Sequence, residues 1–203
     1  MRIRSCGEAH LLIELEDLHA ASALHRNLEA AALAGVLDLV PAARTVLLEF
    51  DPDVTTPSAL TGRVETLLTR PAPPRQTEPI RVAVRYDGPD LGFVSDFFGM
   101  GVREFVTWHT GQVWTVAFSG FAPGFAYCVT DAAHPDVPRL DTPRVAVPPG
   151  AVAMAGEFTG VYPRSSPGGW RLLGRTDAVL WDERRDPPAL LRPGVSLCFD
   201  EAR

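Results

Sequence analysis

The sequence predicts an α+β chain in two parts, an α/β layer followed by a β-barrel or sandwich. Three observations predict it. The first seventy or so residues read as strands and two amphipathic helices. The stretch from Arg70 to Pro79, RPAPPRQTEP, then breaks that pattern with four prolines. From Gln112 onward, short β-like runs alternate with Gly/Pro turns.

Residues 2–6 and 9–15 read as strands, with Leu11, Ile13 and Leu15 alternating toward one face. Asp17 is placed to cap a helix running to about Ala34, with Leu24, Leu28, Ala31 and Ala32 as its apolar stripe and Gly35 as its stop. Val36 to Val40 and Val46 to Phe50 read as two further strands. Thr56-Pro57 opens a second helix with proline at its first position, and Leu60, Val64, Leu67 and Leu68 share one face. The order is strand, helix, two strands, helix. A closing strand would complete a ferredoxin-like βαββαβ layer. Arg70 to Pro79 reads as a linker or extended crossover. The strand-like run Ile80 to Tyr86 either opens the second part or closes the first sheet. Two domains are expected, residues 1–78 and 79–203.

In the second part, Leu91 to Phe98 and Met100 to Thr110 read as short helices, the latter with Val102, Phe105 and Val106 on one face. Gln112 to Ser119 reads as a strand. Arg144 to Val147, Val152 to Ala155, Gly169 to Leu173, Ala178 to Trp181 and Val195 to Phe199 follow as short β runs. Periodicity alone does not separate one barrel from another, or a barrel from a sandwich.

Composition narrows the function. The chain is 46% hydrophobic, enough for a substantial core, and its net charge of −6 argues against non-specific nucleic-acid binding. No apolar run approaches the roughly 20 residues of a membrane span. The N-terminal stretch carries charges within an alternating pattern, which argues against a signal peptide. Cys6, Cys128 and Cys198 are odd in number and widely spaced, so they read as reduced thiols of a cytoplasmic protein. All nineteen basic residues are arginine. The sequence therefore holds no P-loop lysine, no Schiff-base lysine, no biotin-carrying lysine, and no lysine for a Ser–Ser–Lys amidase. HExxH and CxxC are both absent, and no metal site is expected.

Two segments stand out: Gly120 to Tyr127, GFAPGFAY, and Gly156 to Thr176, GEFTGVYPRSSPGGWRLLGRT. Glycine permits close main-chain approach, proline fixes turns, and arginine offers a planar fork for carboxylate or phosphate. The combination suits loops that hold an anionic or amide-bearing small molecule. It also suits tight turns with surface arginines. Phe121, Phe125, Tyr127, Tyr162 and Trp170 are either pocket walls or barrel core. Pro123, Gly124 and Gly168 shape the loop backbone beside them. Arg144, Arg164, Arg171 and Arg175 fall at or near Gly/Pro turns. In a regular strand Arg171 and Arg175 share a face, so they form either an anion clamp or salt bridges to Glu157, Asp177 or Asp182. Glu157 is an acid/base candidate or a surface partner for arginine. His109, at the end of a predicted helix, is either a general base at the barrel mouth or a histidine favoured by the helix C-terminus. Ser165 and Ser166 lack a nucleophile elbow and read as turn residues.

Gly120 to Tyr127, the Pro143-Arg144 step, the Val147-Pro148-Pro149-Gly150 turn and Ala155 to Thr176 closely resemble the KipI/PxpB family. That family is also called allophanate hydrolase subunit 1, or the B-subunit of bacterial 5-oxoprolinase. The resemblance implies a cyclophilin-like β-barrel for the second domain. It implies a cytoplasmic subunit of a hetero-oligomeric, ATP-dependent hydrolase acting on carbon–nitrogen bonds, inactive alone, which helps activate a lactam or urea-like substrate. The partner would be a second cyclophilin-like subunit, of the type of the 5-oxoprolinase C-subunit or allophanate hydrolase subunit 2, sharing ATP. Two alternatives accompany it: a KipI-like inhibitor of a histidine kinase, and the carboxyltransferase component of a urea carboxylase whose biotin sits on another chain. His109 matches a family histidine that precedes the GF-x-PGF segment. On this reading His109, Glu157 and Arg171 are catalytic candidates. Phe121, Pro123, Gly124, Phe125, Tyr127, Arg144, Tyr162, Arg164, Gly168, Trp170 and Arg175 are substrate-binding candidates. After Tyr127 the chain departs from the family's Gly-Gly-Leu-like step and reads CVTDAAHPDVPRLDTPR.

Overall fold

A computed structural model describes residues 1–73 and 78–202. The chain divides into two compact units, residues 1–75 and 76–203. The proline-rich stretch expected to act as a linker falls partly on residues 74–77, outside the described residues.

The first unit runs β1 (Arg2–Ser5), β2 (His10–Glu14), α1 (Leu18–Ala31), β3 (Val36–Pro41), β4 (Thr45–Phe50) and α2 (Pro57–Leu68). Its antiparallel sheet has the order β1-β2-β4-β3. Alternation along β2 and β4 turns Leu11, Ile13, Val46, Leu48 and Phe50 into one core, where they meet Leu24 and Leu28 of α1 and Leu60 and Val64 of α2. Asp17 caps α1 by accepting the Ala20 N–H at 2.8 Å. Thr56 caps α2 by accepting the Ala59 N–H at 3.3 Å. The α1 stop comes earlier than the Gly35 expected: Ala32 adopts the left-handed cap at φ 41. The anticipated closing strand is also placed differently. The N-terminal β1 hairpins onto β2 and fills the position beside it, so the order is ββαββα, and Ile80–Val84 belongs to the second unit.

The second unit continues with β5 (Ile80–Val84), α3 (Leu91–Phe97), α4 (Val102–Gly111), β6 (Trp114–Ser119), β7 (Ala126–Val129), β8 (Arg144–Val147), β9 (Ala151–Ala155), β10 (Phe158–Val161), β11 (Ser166–Gly168), β12 (Arg171–Arg175) and β13 (Ser196–Glu201). Seven of these strands form one sheet in the order β12-β9-β10-β7-β6-β13-β5. It curls into a nearly closed barrel. Its two edges meet at Arg85 and Arg175, which exchange N–H···O bonds of 2.8 and 2.9 Å, and the chain beyond continues the seam with the Gly88 N–H on the Leu173 carbonyl at 3.0 Å and the Asp90 N–H on the Leu172 carbonyl at 3.1 Å. Gly174 is required beside this seam, because a Cβ there would run into the Arg85 carbonyl oxygen.

Val82, Val84, Val116, Val152, Met154, Val161, Leu197 and Phe199 pack into the main core together with Phe105 and Val106 of α4. A second core joins Phe125, Val147, Tyr162, Trp170 and Leu172 to Ala151, Ala153 and Ala155. The strand β9 is thus buried on both faces. Val152 and Met154 enter one core and the three alanines enter the other, which explains an all-apolar strand with small residues at alternate positions. The β8–β11 ribbon contributes Val147 to this second core. Ala178 to Trp181, expected as a strand, forms only an isolated bridge from Trp181 to Ala189. The strands β7, β10 and β11 arise within segments read as motif loops.

Candidate functional site

The aromatic residues of the two motif segments converge on one cleft of the second unit. Its entrance is the turn before β7. There the Ala122 N–H donates to the Gly120 carbonyl at 2.7 Å, a three-residue turn that puts Phe121 at φ 66. A bulky residue in the left-handed region is unusual, and Phe121 is also 60% exposed. Gly124 at φ 83 completes the turn, and a Cβ there would lie 2.9 Å from the Trp181 Cβ. The chain then dives inward at Phe125. Its ring meets Phe121, Tyr127, Tyr162 and Trp170 edge-on, at centroid distances of 5.4, 5.1, 5.2 and 5.3 Å.

The rings close down onto glycine backbone. A Cβ at Gly160 would lie 3.3 Å from Phe125 Cζ, and one at Gly168 would run into the Tyr162 hydroxyl. The result is a cleft of about 90 Å³. Phe121, Phe125, Tyr127, Tyr162, Gly168 and Trp170 line it, all anticipated from the sequence. Arg139, Pro167 and Gly169 complete the lining and were not anticipated. Burial pushes the Tyr127 and Tyr162 phenols above their ordinary range, while the Arg139 charge pulls both the other way. At neutral pH the cleft therefore presents protonated phenols, one guanidinium and apolar ring faces. Such a lining is chemically suited to a small polar group. Among the described residues no histidine or carboxylate lines it to serve as a base.

Three of the other arginines, Arg144, Arg171 and Arg175, are held by carboxylates the sequence did not single out. Asp90, at the start of α3, accepts Arg144 Nη2 at 2.8 Å and the Leu172 N–H at 2.7 Å. Arg171 Nη1 approaches the other oxygen of Asp90 at 3.9 Å, its Nε donates to the Pro138 carbonyl at 3.1 Å, and its guanidinium lies 3.9 Å above the Phe93 ring centre. Arg144 also donates to the Trp170 carbonyl at 3.3 Å, behind the cleft wall. Arg175 pairs with Asp87 at 3.0 Å. The expected Arg171–Arg175 clamp is not made. A bulge shifts the register between Leu172 and Gly174, so Arg171 faces Met154 and Arg175 faces Ala151. That odd separation along β9 sends the two side chains to opposite faces. Arg164, Pro123 and Glu157 are exposed and lie outside the cleft lining. Glu157 sits at the β9–β10 turn after Gly156, and among the described residues none of the expected arginine pairings to it forms.

His109 is not at a barrel mouth. It is fully buried and stacks on Phe199 at 4.8 Å. Thr159 Oγ1 spends its hydrogen on the Ala153 carbonyl at 3.2 Å, so it accepts from His109 Nε2–H at 3.2 Å. Nδ1 then accepts the Tyr86 hydroxyl at 2.8 Å. Burial pushes the His109 pKa down to about 3, with the charge of His134 a smaller cause. A neutral, sealed, doubly hydrogen-bonded imidazole is a core residue. The physical reason is the face of α4: Phe105 and Val106 are buried, and position 109 extends the same stripe by i+3 and i+4.

The family model of the carboxyltransferase domain, subdomain C and D, matches residues 1–191. The B-subunit of 5-oxoprolinase from Escherichia coli O157:H7 is 44% identical over 112 residues, which are 55% of this chain and 51% of that protein. The chain thus matches about half the length of this curated relative. The crystal structure of TTHA0988 superposes with a TM-score of 0.79 at 32% identity, covering 100% of this chain and 41% of that one. The K. lactis urea amidolyase superposes with a TM-score of 0.69 at 19% identity, covering 98% of this chain and 15% of that one, a likeness of fold alone.

Proposed function

We propose, on the premise that this chain belongs to the carboxyltransferase subdomain C and D family, the KipI/PxpB family of the motif reading, that it is one subunit of a hetero-oligomeric 5-oxoprolinase-type hydrolase. The observation that carries this reading is the match to curated relatives named as the B-subunit of 5-oxoprolinase, at 38–44% identity. The cleft supports it. Ring walls, two phenol hydroxyls and a guanidinium suit a small lactam.

In this reading the chain binds and orients the lactam, excludes water from its apolar edge, and donates hydrogen bonds from the phenols. The reaction is proposed to be ATP-dependent, since a resonance-stabilised lactam is a poor electrophile. The cleft does not fit the nucleotide. A volume of about 90 Å³ leaves no room for a nucleotide's base, sugar and phosphates together. Arg144, Arg171 and Arg175 are engaged by Asp90 and Asp87. ATP is therefore assigned chiefly to the partner, a second cyclophilin-like protein of the 5-oxoprolinase C-subunit type. The same proposal takes the first unit as a ferredoxin-like domain with β1 in the fourth strand position. It takes the second as a cyclophilin-like barrel domain beginning near residue 79, and the whole as a cytoplasmic protein.

The test is co-expression with that second cyclophilin-like partner and the hydrolase subunit, followed by ATP-dependent release of glutamate from 5-oxoproline. The assembly turns over and the single chain does not. Turnover by the single chain, or a co-expressed pair that sediments as two independent species, refutes the proposal.

A further inference from the structure

We propose that Arg139 is the substrate-binding residue that anchors a carboxylate at this cleft, so that the ligand class is a small amide bearing a carboxylate. The inference rests on the reading of the cleft as an amide-binding site. It adds the residue and the charge that select among amides.

Arg139 lines the cleft and is exposed. Among the described residues no carboxylate lies within salt-bridge distance of it, unlike Arg144, Arg171 and Arg175. In a chain of net charge −6, an arginine left without a counter-ion beside an aromatic cleft has open hydrogen-bonding capacity facing the ligand space. Arg164 is also without a salt bridge among the described residues, but it does not line the cleft.

The backbone that carries Arg139 is held on both sides, although it belongs to no named strand. Val137 exchanges N–H···O bonds of 3.0 and 2.7 Å with Gly156. The Pro138 carbonyl accepts Arg171 Nε at 3.1 Å. The Leu140 N–H donates to the carbonyl of Gly169, itself a lining residue, at 2.8 Å. Only the Arg139 side chain is left unpinned. With the backbone fixed, only the side chain is left to order on binding, and a charge-assisted two-pronged contact to a carboxylate offsets that cost.

The charge also reaches the groups expected to meet the ligand. Arg139 acts on the phenols of both Tyr127 and Tyr162. A cleft of about 90 Å³ admits a compact group of roughly three water volumes. A five-membered lactam can rest its ring against Phe125 and Trp170, turn its amide to the phenols, and leave its carboxylate at the rim for a bidentate fork. 5-Oxoproline meets this description. Urea, which has no carboxylate, does not.

The experiment titrates the full chain, labelled with ¹⁵N, with 5-oxoproline and with 2-pyrrolidinone, the same ring without the carboxylate, and follows amide shifts around Gly168 and Trp170. Wild type is compared with R139Q and R139K. Wild type is expected to prefer 5-oxoproline. R139Q is expected to lose roughly 10- to 100-fold in affinity for it, as for one charge-assisted hydrogen-bonding group, while pyrrolidinone binding stays unchanged. R139K should fall between. If R139Q binds 5-oxoproline like wild type, or wild type binds both ligands equally, the assignment of Arg139 is overturned and the cleft reading stands. If neither ligand shifts the cleft amides of wild type, the cleft reading itself is overturned.

Discussion

Acidifying the protein from pH 7.5 to 5 should weaken the second unit through His109. Its folded pKa is about 3, against about 6.5 for an unfolded histidine. Between those values the unfolded chain binds a proton that the folded chain does not, so stability rises with pH across the window. The contribution is complete above pH 6.5 and is lost as pH falls toward 3. Each unit is worth about 1.4 kcal/mol, so at pH 5 the loss is about 2 kcal/mol. All four tryptophans, Trp108, Trp114, Trp170 and Trp181, lie in the second unit. Their fluorescence in urea therefore reports that unit. It is silent to His25 of the first unit, whose pKa burial also lowers. The comparison is with His109→Gln, which keeps hydrogen-bonding ends but does not titrate. Its absolute stability will be lower. The decisive quantity is the difference in pH dependence, with wild type losing about 2 kcal/mol more than the variant between pH 7.5 and 5. Parallel profiles would refute the sealed, neutral imidazole and reopen a role for His109 in proton transfer.

Three further outcomes follow from other contacts. Asp90→Asn should cost about 2 kcal/mol in urea unfolding, because it leaves Arg144 and Arg171 without their carboxylate in a mostly buried position; a loss below about 0.5 kcal/mol would mean that solvent replaces the ion pair. Gly174→Ala should loosen the barrel seam, read as faster amide exchange at Arg85 and Arg175, and unchanged protection there would contradict the close approach of Gly174 to the Arg85 carbonyl. At position 121, glycine should be more stable than alanine by about 1 kcal/mol, the reverse of the usual order at an exposed site within a helix or strand. Equal melting temperatures for Phe121→Gly and Phe121→Ala would show that the left-handed turn is not held in solution.

What could be read from the sequence was what neighbouring residues decide. Asp17 and Thr56-Pro57 announced two helix starts, and the alternation of Leu11, Ile13 and Leu15 announced the core face of β2. The cleft aromatics were legible because glycine and proline surround them, and the family was legible from the same words. Misplacements came from long-range partners. Parity along β12 put Arg171 and Arg175 on one face, but a bulge before Gly174 reversed it. Asp90 stands where a helix cap would, yet its side chain makes no cap bond and reaches Arg144, 54 residues away. Arg139 lies in a stretch without periodicity, and its position depends on the Val137–Gly156 bridge. His109 was the exception: the stripe of Phe105 and Val106 already pointed to it, and its residue type drew attention from its spacing.

The pairing of β5 with β13 bears on how the molecule is made. These strands stand at residues 80–84 and 196–201, and they run parallel. Beyond the Arg85–Arg175 pair, β13 is the only neighbour β5 has in its sheet among the described residues. During synthesis β5 therefore emerges early and waits, its main-chain donors and acceptors unmatched, until β13 leaves the ribosome and slots between it and β6. The first unit needs no such wait, since its strands pair within a short span of chain. The first unit can thus reach its native state during translation, while the second finishes in a late, non-local step of the slow kind. Any nascent or truncated product lacking residues 196–201 would carry an unprotected strand edge, open to self-association.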